Sequence, residues 1–271
     1  ELTVSAITSG YRHIMVAGGD GTLHEVINGL FIQKCVDTSE VTIAVIPVGT
    51  GNDWIRMYGL PTRYSAVIRA IKEGYTFLQD VAAVEYEESR YRQTRYMANV
   101  AGVGFDAAVI KRGQMMNGND KKKKGAGFYI RALINTFFRY KPTGVKIWVD
   151  DRLMYNNLLF SLAMGVGKYN GGGIQQLPQS VADDGLLDVT LIKPIHWWHV
   201  VFRLRRFFNG EIYSIGHVQH LQGSKIRIES SPEIDLEIDG ELHGGTPVEL
   251  RVLHRAVKVI VNKSFIDKLK A

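Results

Sequence analysis

Asp20 stands among glycines. It sits in the loop Gly18-Gly19-Asp20-Gly21-Thr22, between an apolar run and a segment of helical spacing that opens with Leu23, His24 and Glu25. Glycines in such a place let the backbone come close to a ligand, and a helix N-terminus favours negative charge. The loop is no Walker sequence, being too short and lacking Gly-Lys-Ser/Thr, and it is no GxGxxG fingerprint. An aspartate there would repel a phosphate unless a cation lay between them, so the loop reads as a site for a Mg2+-nucleotide. The competing reading is that Asp20 caps the helix that follows it. A second loop of the same design, Pro47-Val48-Gly49-Thr50-Gly51-Asn52-Asp53, repeats the glycines, a hydroxyl and an aspartate, with Arg56 a helical turn later. A third acidic group, Asp239-Gly240-Glu241, reads by itself as a solvent-facing hairpin, since Asp-Gly is a strong hairpin signal.

The elements that must position these loops fall into two textures. His13 to Ala17 is a continuous apolar run ending in glycine, which predicts a buried parallel strand. Leu23, Val26, Ile27 and Leu30 predict a helix over Thr22 to Phe31; Val41 to Ile46 is a second buried strand stopped by Pro47. Tyr64, Val67, Ile68 and Ile71 mark an amphipathic helix that ends at Gly74. Strand and helix alternating in this way predict α/β layers with a parallel sheet, whose carboxyl edge would carry both glycine loops. From about residue 81 the period becomes two, as in Val145, Ile147 and Val149 or Val248, Leu250 and Val252, which predicts an antiparallel sandwich or barrel. Phe128 to Tyr140 and His196 to Phe208 interrupt it as helices that combine aromatics with arginines.

Composition narrows the function classes. Across 271 residues, 45% hydrophobic and 22% charged is ordinary for a globular protein, and no run of about 18 apolar residues could span a bilayer as a helix. A lone cysteine, Cys35, excludes an internal disulfide framework and fits a reducing compartment, where it packs as a small hydrophobe. The net charge of +6 favours anionic partners, but no basic segment interleaved with stacking aromatics points to nucleic acid. His196, His199, His217, His220 and His243 have no metal-ligand spacing and read as structural or surface residues.

The loops "GGDGTLHEVINGL" and "IPVGTGNDWIR", followed by "GGGIQQLPQSVADDGLLDV" and "LEIDGELHGGTPVELRV", resemble the catalytic region of diacylglycerol kinases and the related bacterial lipid kinases and sphingosine kinases. NAD kinases and phosphofructokinases share only the first element. The resemblance covers nearly all of the chain. It implies an α/β nucleotide-binding domain over 1–80, rejoined by the tail 257–271, and an antiparallel β-sandwich lipid-binding domain over 81–256, with the active site between them. It implies ATP contacts from Gly18, Gly19, Asp20, Gly21, Thr22, Leu23, His24 and Glu25, and from Thr50, Asn52 and Asp53. Asp20, Asp53 and Asp80 would organise Mg2+, Asp239 or Glu241 would supply the catalytic base, and Asp184 with the carbonyls of Val181 and Leu186 would form a structural metal site. Two departures stand out. His24 takes a place where bacterial relatives usually have asparagine and sphingosine kinases often have histidine. The family's first strand and its Asn-Pro-x-Ser-Gly phosphate loop are expected ahead of Glu1, on an upstream piece of a longer chain.

The expected activity is transfer of the ATP γ-phosphate to a lipid hydroxyl, with diacylglycerol giving phosphatidic acid as the first expectation. A sphingoid-base or other lipid-alcohol kinase is the enzymatic alternative, and a catalytically silent nucleotide- or lipid-binding protein is the alternative of another class. A cytoplasmic protein touching membranes peripherally is expected, with homodimerisation left open. Lys121 to Lys124, the helix bearing Phe128, Tyr129, Arg131, Phe137, Phe138 and Arg139, and the segment with Trp197, Trp198, Arg203, Arg205 and Arg206 are the candidate interfacial elements. For Trp197 and Trp198 a place in the core is the preferred reading.

Overall fold

The computed structural model describes residues 1–117 and 133–270. After α1 (Leu2–Thr8), β1 (His13–Gly18) runs into α2 (Asp20–Ile32), which crosses over to β2 (Thr42–Pro47). The two strands are parallel, from His13↔Thr42 to Gly18↔Pro47, so both glycine loops leave the same edge. β2 is buried almost throughout, but β1 is an outer strand: among the described residues it pairs only with β2, and Met15 faces out with 67% exposure. The buried strand that the apolar run predicts is therefore only half realised at β1. The second loop leads into α3 (Asp53–Met57), and α4 (Tyr64–Glu73) ends at Gly74 as the pattern predicts.

The first core gathers Val16, Ile43 and Val45 from the strands, Leu23, Ile27 and Leu30 from α2, and Trp54 and Tyr58. Burying those two aromatics also buries their polar hydrogens. Both donate to Gln79 Oε1, at 3.0 and 2.7 Å, and Gln79 Nε2 donates to the Ala98 carbonyl at 2.6 Å. One buried amide thus satisfies three polar groups and ties α3 to the next strands, where an orphaned donor would cost about 1–3 kcal/mol.

β3 (Thr76–Glu88) begins in this core with Phe77 and ends in a second one with Val84 and Tyr86. The change of texture near residue 80 falls inside a strand, not in a linker. There follow β4 (Tyr91–Met97), β5 (Val100–Gly104), α5 (Phe105–Asn117), a helical stretch α6 over 133–137, β6 (Thr143–Val149), β7 (Arg152–Leu159), β8 (Ser161–Gly165) and β9 (Leu187–Ile192). The chain continues with α7 (Trp197–Phe208), β10 (Val218–Gly223), β11 (Lys225–Ser231), β12 (Asp235–Ile238), β13 (Glu241–Ile260) and α8 (Lys263–Leu269). Hydrogen bonds join the strands in the order β10-β9-β8-β5-β12-β13-β11-β6-β7, with β3 also on β13 and β4 on β3. Leu221 from one end of that path shares a core with Val145 and Ile147 from near the other, so the sheet folds over onto itself as a sandwich.

Parallel pairing among the described residues is confined to β1 with β2 and β2 with Lys258 and Val259 late in β13. The layered parallel sheet that the alternation predicts is cut short for a physical reason. β3 and β13 run through both cores as one long antiparallel pair, and antiparallel neighbours need no crossover helix. Val257, Val259 and Phe265 of α8 return the end of the chain to the first core.

α5 was not foreseen among the strand patterns. Phe105 and Val109, one turn apart, pack on Phe160 and Ile192 outside the sandwich, in a small cluster completed by Phe137 of α6 and Phe207 of α7. α7 starts one residue later than its pattern predicts. Of the helix expected from Phe128 to Tyr140, residues 133–137 are helical, while Lys121 to Lys124, Phe128, Tyr129 and Arg131 lie outside the described residues. No helix of the described residues is long and apolar enough to cross a membrane.

Candidate active site

The two glycine loops touch backbone to backbone. A Cβ on Gly49 would lie 2.6 Å from the Gly19 Cα, so only glycine lets the loops cross here. Asp20 is then in reach of the second loop: its Oδ2 accepts the Asp53 N–H at 3.1 Å and its Oδ1 the Trp54 N–H at 3.0 Å. Asp20 does cap a helix, but it is α3, opened by the other loop; α2 itself begins at Gly19 without a side-chain cap. Asn52 holds a left-handed turn at φ 51° and donates to the Gly49 carbonyl at 2.6 Å, which shapes the entry to α3. Thr22 and Thr50 are exposed, as is Glu25, which lies 4.0 Å from Arg95. Leu23 behaves otherwise: its side chain belongs to the first core.

Asp53 is buried. Its Oδ2 accepts the Gly172 N–H at 2.7 Å, while Oδ1 has no hydrogen bond and faces the Arg56 Nε at 3.4 Å. Burial raises its carboxyl above the usual range; the Gly172 N–H opposes this, and the charge of Asp20 adds to it. A buried carboxylate oxygen without a donor, next to a second carboxylate, is an environment that a cation completes. Among the described residues no group of three or more His, Cys, Asp or Glu stands ready to hold a metal, so Asp20 and Asp53 would need water or a phosphate as further ligands.

Asp239 and Gly240 form the two-residue turn between β12 and β13, with φ of 50° and 88° and Ile238 paired to Glu241. The hairpin reading is right about the turn and wrong about solvent: Asp239 is 7% exposed. Its Oδ1 accepts the N–H groups of Asn99 at 2.9 Å and Val100 at 3.2 Å, and its Oδ2 accepts those of Ala98 at 3.0 Å and His24 Nδ1 at 3.0 Å. All four acceptor directions of the carboxylate are filled. Glu241 is exposed, and a Cβ on Gly21 would lie 2.9 Å from its Oε1. Its carboxylate therefore rests at the N-terminus of α2, where the helix dipole favours negative charge.

His24 is buried, with no face open to a nucleotide. The Asn28 amide meets its Nε2 at 3.2 Å, so the ring proton lies on Nδ1 and goes to Asp239. His243 is drawn into the same site, its ring centre 5.6 Å from that of His24 and its Nδ1 3.3 Å from the Tyr86 hydroxyl. Burial, reinforced by His24, pushes it down to about 4, so it is neutral at physiological pH.

Asp80 belongs elsewhere. Its Oδ1 accepts from the Arg255 N–H at 2.6 Å and His254 Nδ1 at 3.0 Å, and its Oδ2 from the Gly185 N–H at 2.7 Å. This pins it to the loop of Asp184, not to Asp20 and Asp53, because β3 and the 254–255 bulge of β13 meet that loop. Asp184 gives its oxygens to the Leu186 N–H at 3.0 Å and the Gln222 amide at 3.3 Å, and Val181 is 43% exposed. The chain's own donors reach the side chains of Asp80 and Asp184, and Asp80 is held at this corner away from Asp20 and Asp53.

The sequence pattern does not single out two further acids, the buried Glu237 and the half-buried Asp106. Glu237, two residues before Asp239, accepts the Gly240 N–H at 2.9 Å and the Asn170 amide at 3.3 Å, tying the turn to the loop that holds Asp53. Burial, then the nearby Asp106, pushes its carboxyl well above the usual range. Asp106 itself is raised to about 6 by burial, against hydrogen bonds from Ser161 and Gln176. The signal available was period two in "DLEIDGE", which turns Leu236 and Ile238 to one face and Glu237 and Asp239 to the other.

Comparison with known proteins identifies the family. The family model "Diacylglycerol kinase catalytic domain" matches residues 1–84, and "YegS C-terminal NAD kinase beta sandwich-like domain" matches residues 99–261. A protein named "Probable lipid kinase YegS-like" from Pseudomonas savastanoi pv. phaseolicola is 26% identical over 261 residues, which is 96% of this chain and 79% of that one. The protein named diacylglycerol kinase from Bacillus subtilis is 26% identical over 262 residues, covering 94% of this chain and 80% of its own. A crystal structure titled "putative diacylglycerol kinase" from Bacillus anthracis str. Sterne superposes with a TM-score of 0.74 at 26% identity, over 97% of this chain and 83% of that one. The chain belongs to the family of diacylglycerol kinases and YegS-like lipid kinases.

Proposed function

We propose that this protein is an ATP- and Mg2+-dependent transferase that moves the γ-phosphate of ATP to the hydroxyl of a membrane lipid, with diacylglycerol as acceptor and phosphatidic acid as product. The observation that carries the reading is the convergence of the three acidic motifs. Asp20 caps the helix that begins at Asp53, and Glu241 rests against Gly21 beside Asp20. Phosphoryl transfer asks a protein mainly for positioning and charge neutralisation, and this arrangement supplies both.

In this reading the backbone of Gly18 to Thr22 and the side chains of Thr22, Thr50 and Asn52 receive the nucleotide, while Leu23 contributes backbone alone. Asp53, with its buried oxygen lacking a hydrogen-bond donor, and Asp20 hold the cation. Mg2+, when bound, would neutralise charge on the transferred phosphoryl group. Glu241 is the proton acceptor, because its carboxylate is exposed, whereas Asp239 spends its four acceptor directions on fixing the turn. A carboxylate suffices as base, since it need only take the proton as the oxygen–phosphorus bond forms. The reading goes with a cytoplasmic enzyme of phospholipid biosynthesis that meets the membrane peripherally.

The test is radiolabelled ATP with diacylglycerols, ceramides and sphingoid bases in mixed micelles, with and without Mg2+. Label in diacylglycerol that requires Mg2+ is expected. Label in a sphingoid base alone would reassign the acceptor, and ATP binding without any labelled lipid would refute a kinase.

A further inference from the structure

α5, α6 and α7 bury Phe105, Phe137 and Phe207 against Phe160, yet each still presents large apolar side chains outward. Phe202 is 84% exposed, Phe138 69% and Met115 63%, and Trp198 and Phe208 are 41% and 48% exposed. Trp198, Phe202 and Arg205 follow one another at i, i+4 and i+7, so they line one stripe along α7. Arg203, Arg205 and Arg206 line a shallow depression with Phe202, where the one acid among the described lining residues is Glu211. A second depression, between α5 and α6, is lined among the described residues by Arg112 and Arg139 around Met115, with Lys111 beside them paired to Asp235 at 2.8 Å. Exposed aromatic rings ringed by guanidinium groups suit the boundary between acyl chains and phosphate headgroups: the rings insert and the arginines meet phosphate.

This face is joined to the candidate active site. The Gln175 N–H donates to the Phe207 carbonyl at 2.7 Å, and the Gln175 amide donates to the Phe208 carbonyl at 2.8 Å. Three residues earlier, Gly172 holds Asp53. The end of α7 is thus fixed to the loop that closes one side of the phosphoryl-transfer site. We propose that the outer face of α7, continued by α5 and α6, is the surface by which this protein docks on bilayers containing acidic phospholipids. Its purpose rests on the lipid-kinase reading; its existence does not.

The experiment is co-sedimentation of the purified full chain with vesicles of phosphatidylcholine alone and of equimolar phosphatidylcholine and phosphatidylglycerol, without ATP or acceptor lipid. Binding to the acidic vesicles that salt weakens is expected. Each arginine near an anionic surface contributes roughly fivefold in affinity, so R203Q/R205Q is expected to lose roughly 25-fold. F202Q is expected to lose roughly tenfold or more by removing an inserted ring. Both variants should phosphorylate a short-chain diacylglycerol dispersed in detergent as the wild type does. Wild-type vesicle binding by both variants, or equal binding to neutral vesicles, would overturn the proposal. So would a dimer that F202Q converts to monomer, since the face would then belong to a second copy of the chain. A wild type that binds acidic vesicles but labels no lipid would leave this surface standing and refute the kinase alone.

Discussion

Replacing Asp239 with asparagine separates the roles of the two carboxylates in the turn. Asp239 Oδ1 serves the N–H groups of Asn99 and Val100, and Oδ2 serves those of Ala98 and His24. Asparagine keeps one accepting oxygen, so its NH2 group must point at one of these two pairs of donors. His24 can shift its proton to Nε2, but that sets it against the Asn28 amide at 3.2 Å. Two buried donors therefore lose their acceptor, at about 1–3 kcal/mol each, or about 4 kcal/mol together. For a chain of this size each kcal/mol lowers Tm by about 2–4 °C, so D239N should melt about 8–15 °C below the wild type. Glu241 is exposed, and E241Q should stay within about 0.5 kcal/mol. Calorimetric melting paired with single-turnover phosphorylation reads both effects. D239N should lose stability and turnover together. E241Q should lose turnover alone, on the order of 10²–10⁴-fold. D239N melting with the wild type would refute the role of Asp239 in fixing the turn, and E241Q turning over normally would refute the base.

Other perturbations test the surrounding parts. In G49A the new Cβ would lie 2.6 Å from the Gly19 backbone, so the loops must part. A stability loss of about 1–3 kcal/mol and weaker ATP binding by titration calorimetry are expected, and unchanged ATP affinity would show that the crossing is dispensable. In G21A the Cβ meets only the end of the flexible Glu241 side chain, so Tm should hold while turnover falls; normal turnover would place Glu241 outside the reaction. Asp106 titrates at about 6 when folded against 3.8 as the ordinary value, so the folded state holds a proton that the unfolded chain has released between them. Its stabilising contribution is present below the lower value and lost as pH rises through the upper one. D106N, which still accepts from Ser161 and Gln176, should therefore gain up to about 3 kcal/mol on the wild type above about pH 6 and little near pH 4. Denaturant titration across pH would show this, and a pH-independent difference would refute it.

What could be read along the chain was what neighbours in sequence decide. The glycine loops, the crossover helix, the stop at Gly74 and the Asp-Gly turn all lie within a few residues of the features that cause them. What could not be read depends on distant partners. Asp20 obeys the capping preference of its residue type, but the N–H groups it caps lie on a helix 33 residues further on. Met15 belongs to an apolar run and still faces out, because the outer place of β1 is set by strand order. Asp80 pairs with a loop and a bulge brought in from more than 100 residues away. His243 reads as a structural or surface residue, and only the fold shows that β13 brings it beside His24. The alternation around Glu237 shows that it shares a face with Asp239, but not that this face is closed off from water.

The acids of the site, and Asp80 outside it, differ less in type than in how far the backbone has already used them. Asp20 receives two backbone N–H groups, Asp80 two N–H groups and a histidine, and Asp239 three N–H groups and a histidine. These carboxylates hold loops and turns together, and a proton placed on Asp239 would displace a bond that fixes the turn. Asp53 keeps one buried oxygen without a hydrogen bond, facing only the Arg56 guanidinium at 3.4 Å, and Glu241 keeps its carboxylate in the open. A cation and a proton need lone pairs that the fold has not spent. That criterion is why the proposed reading assigns the cation to Asp53, with Asp20 as its neighbour, and the proton to Glu241. Asp20, through the Asp53 and Trp54 N–H groups, and Asp239, through the turn, determine where those two carboxylates stand.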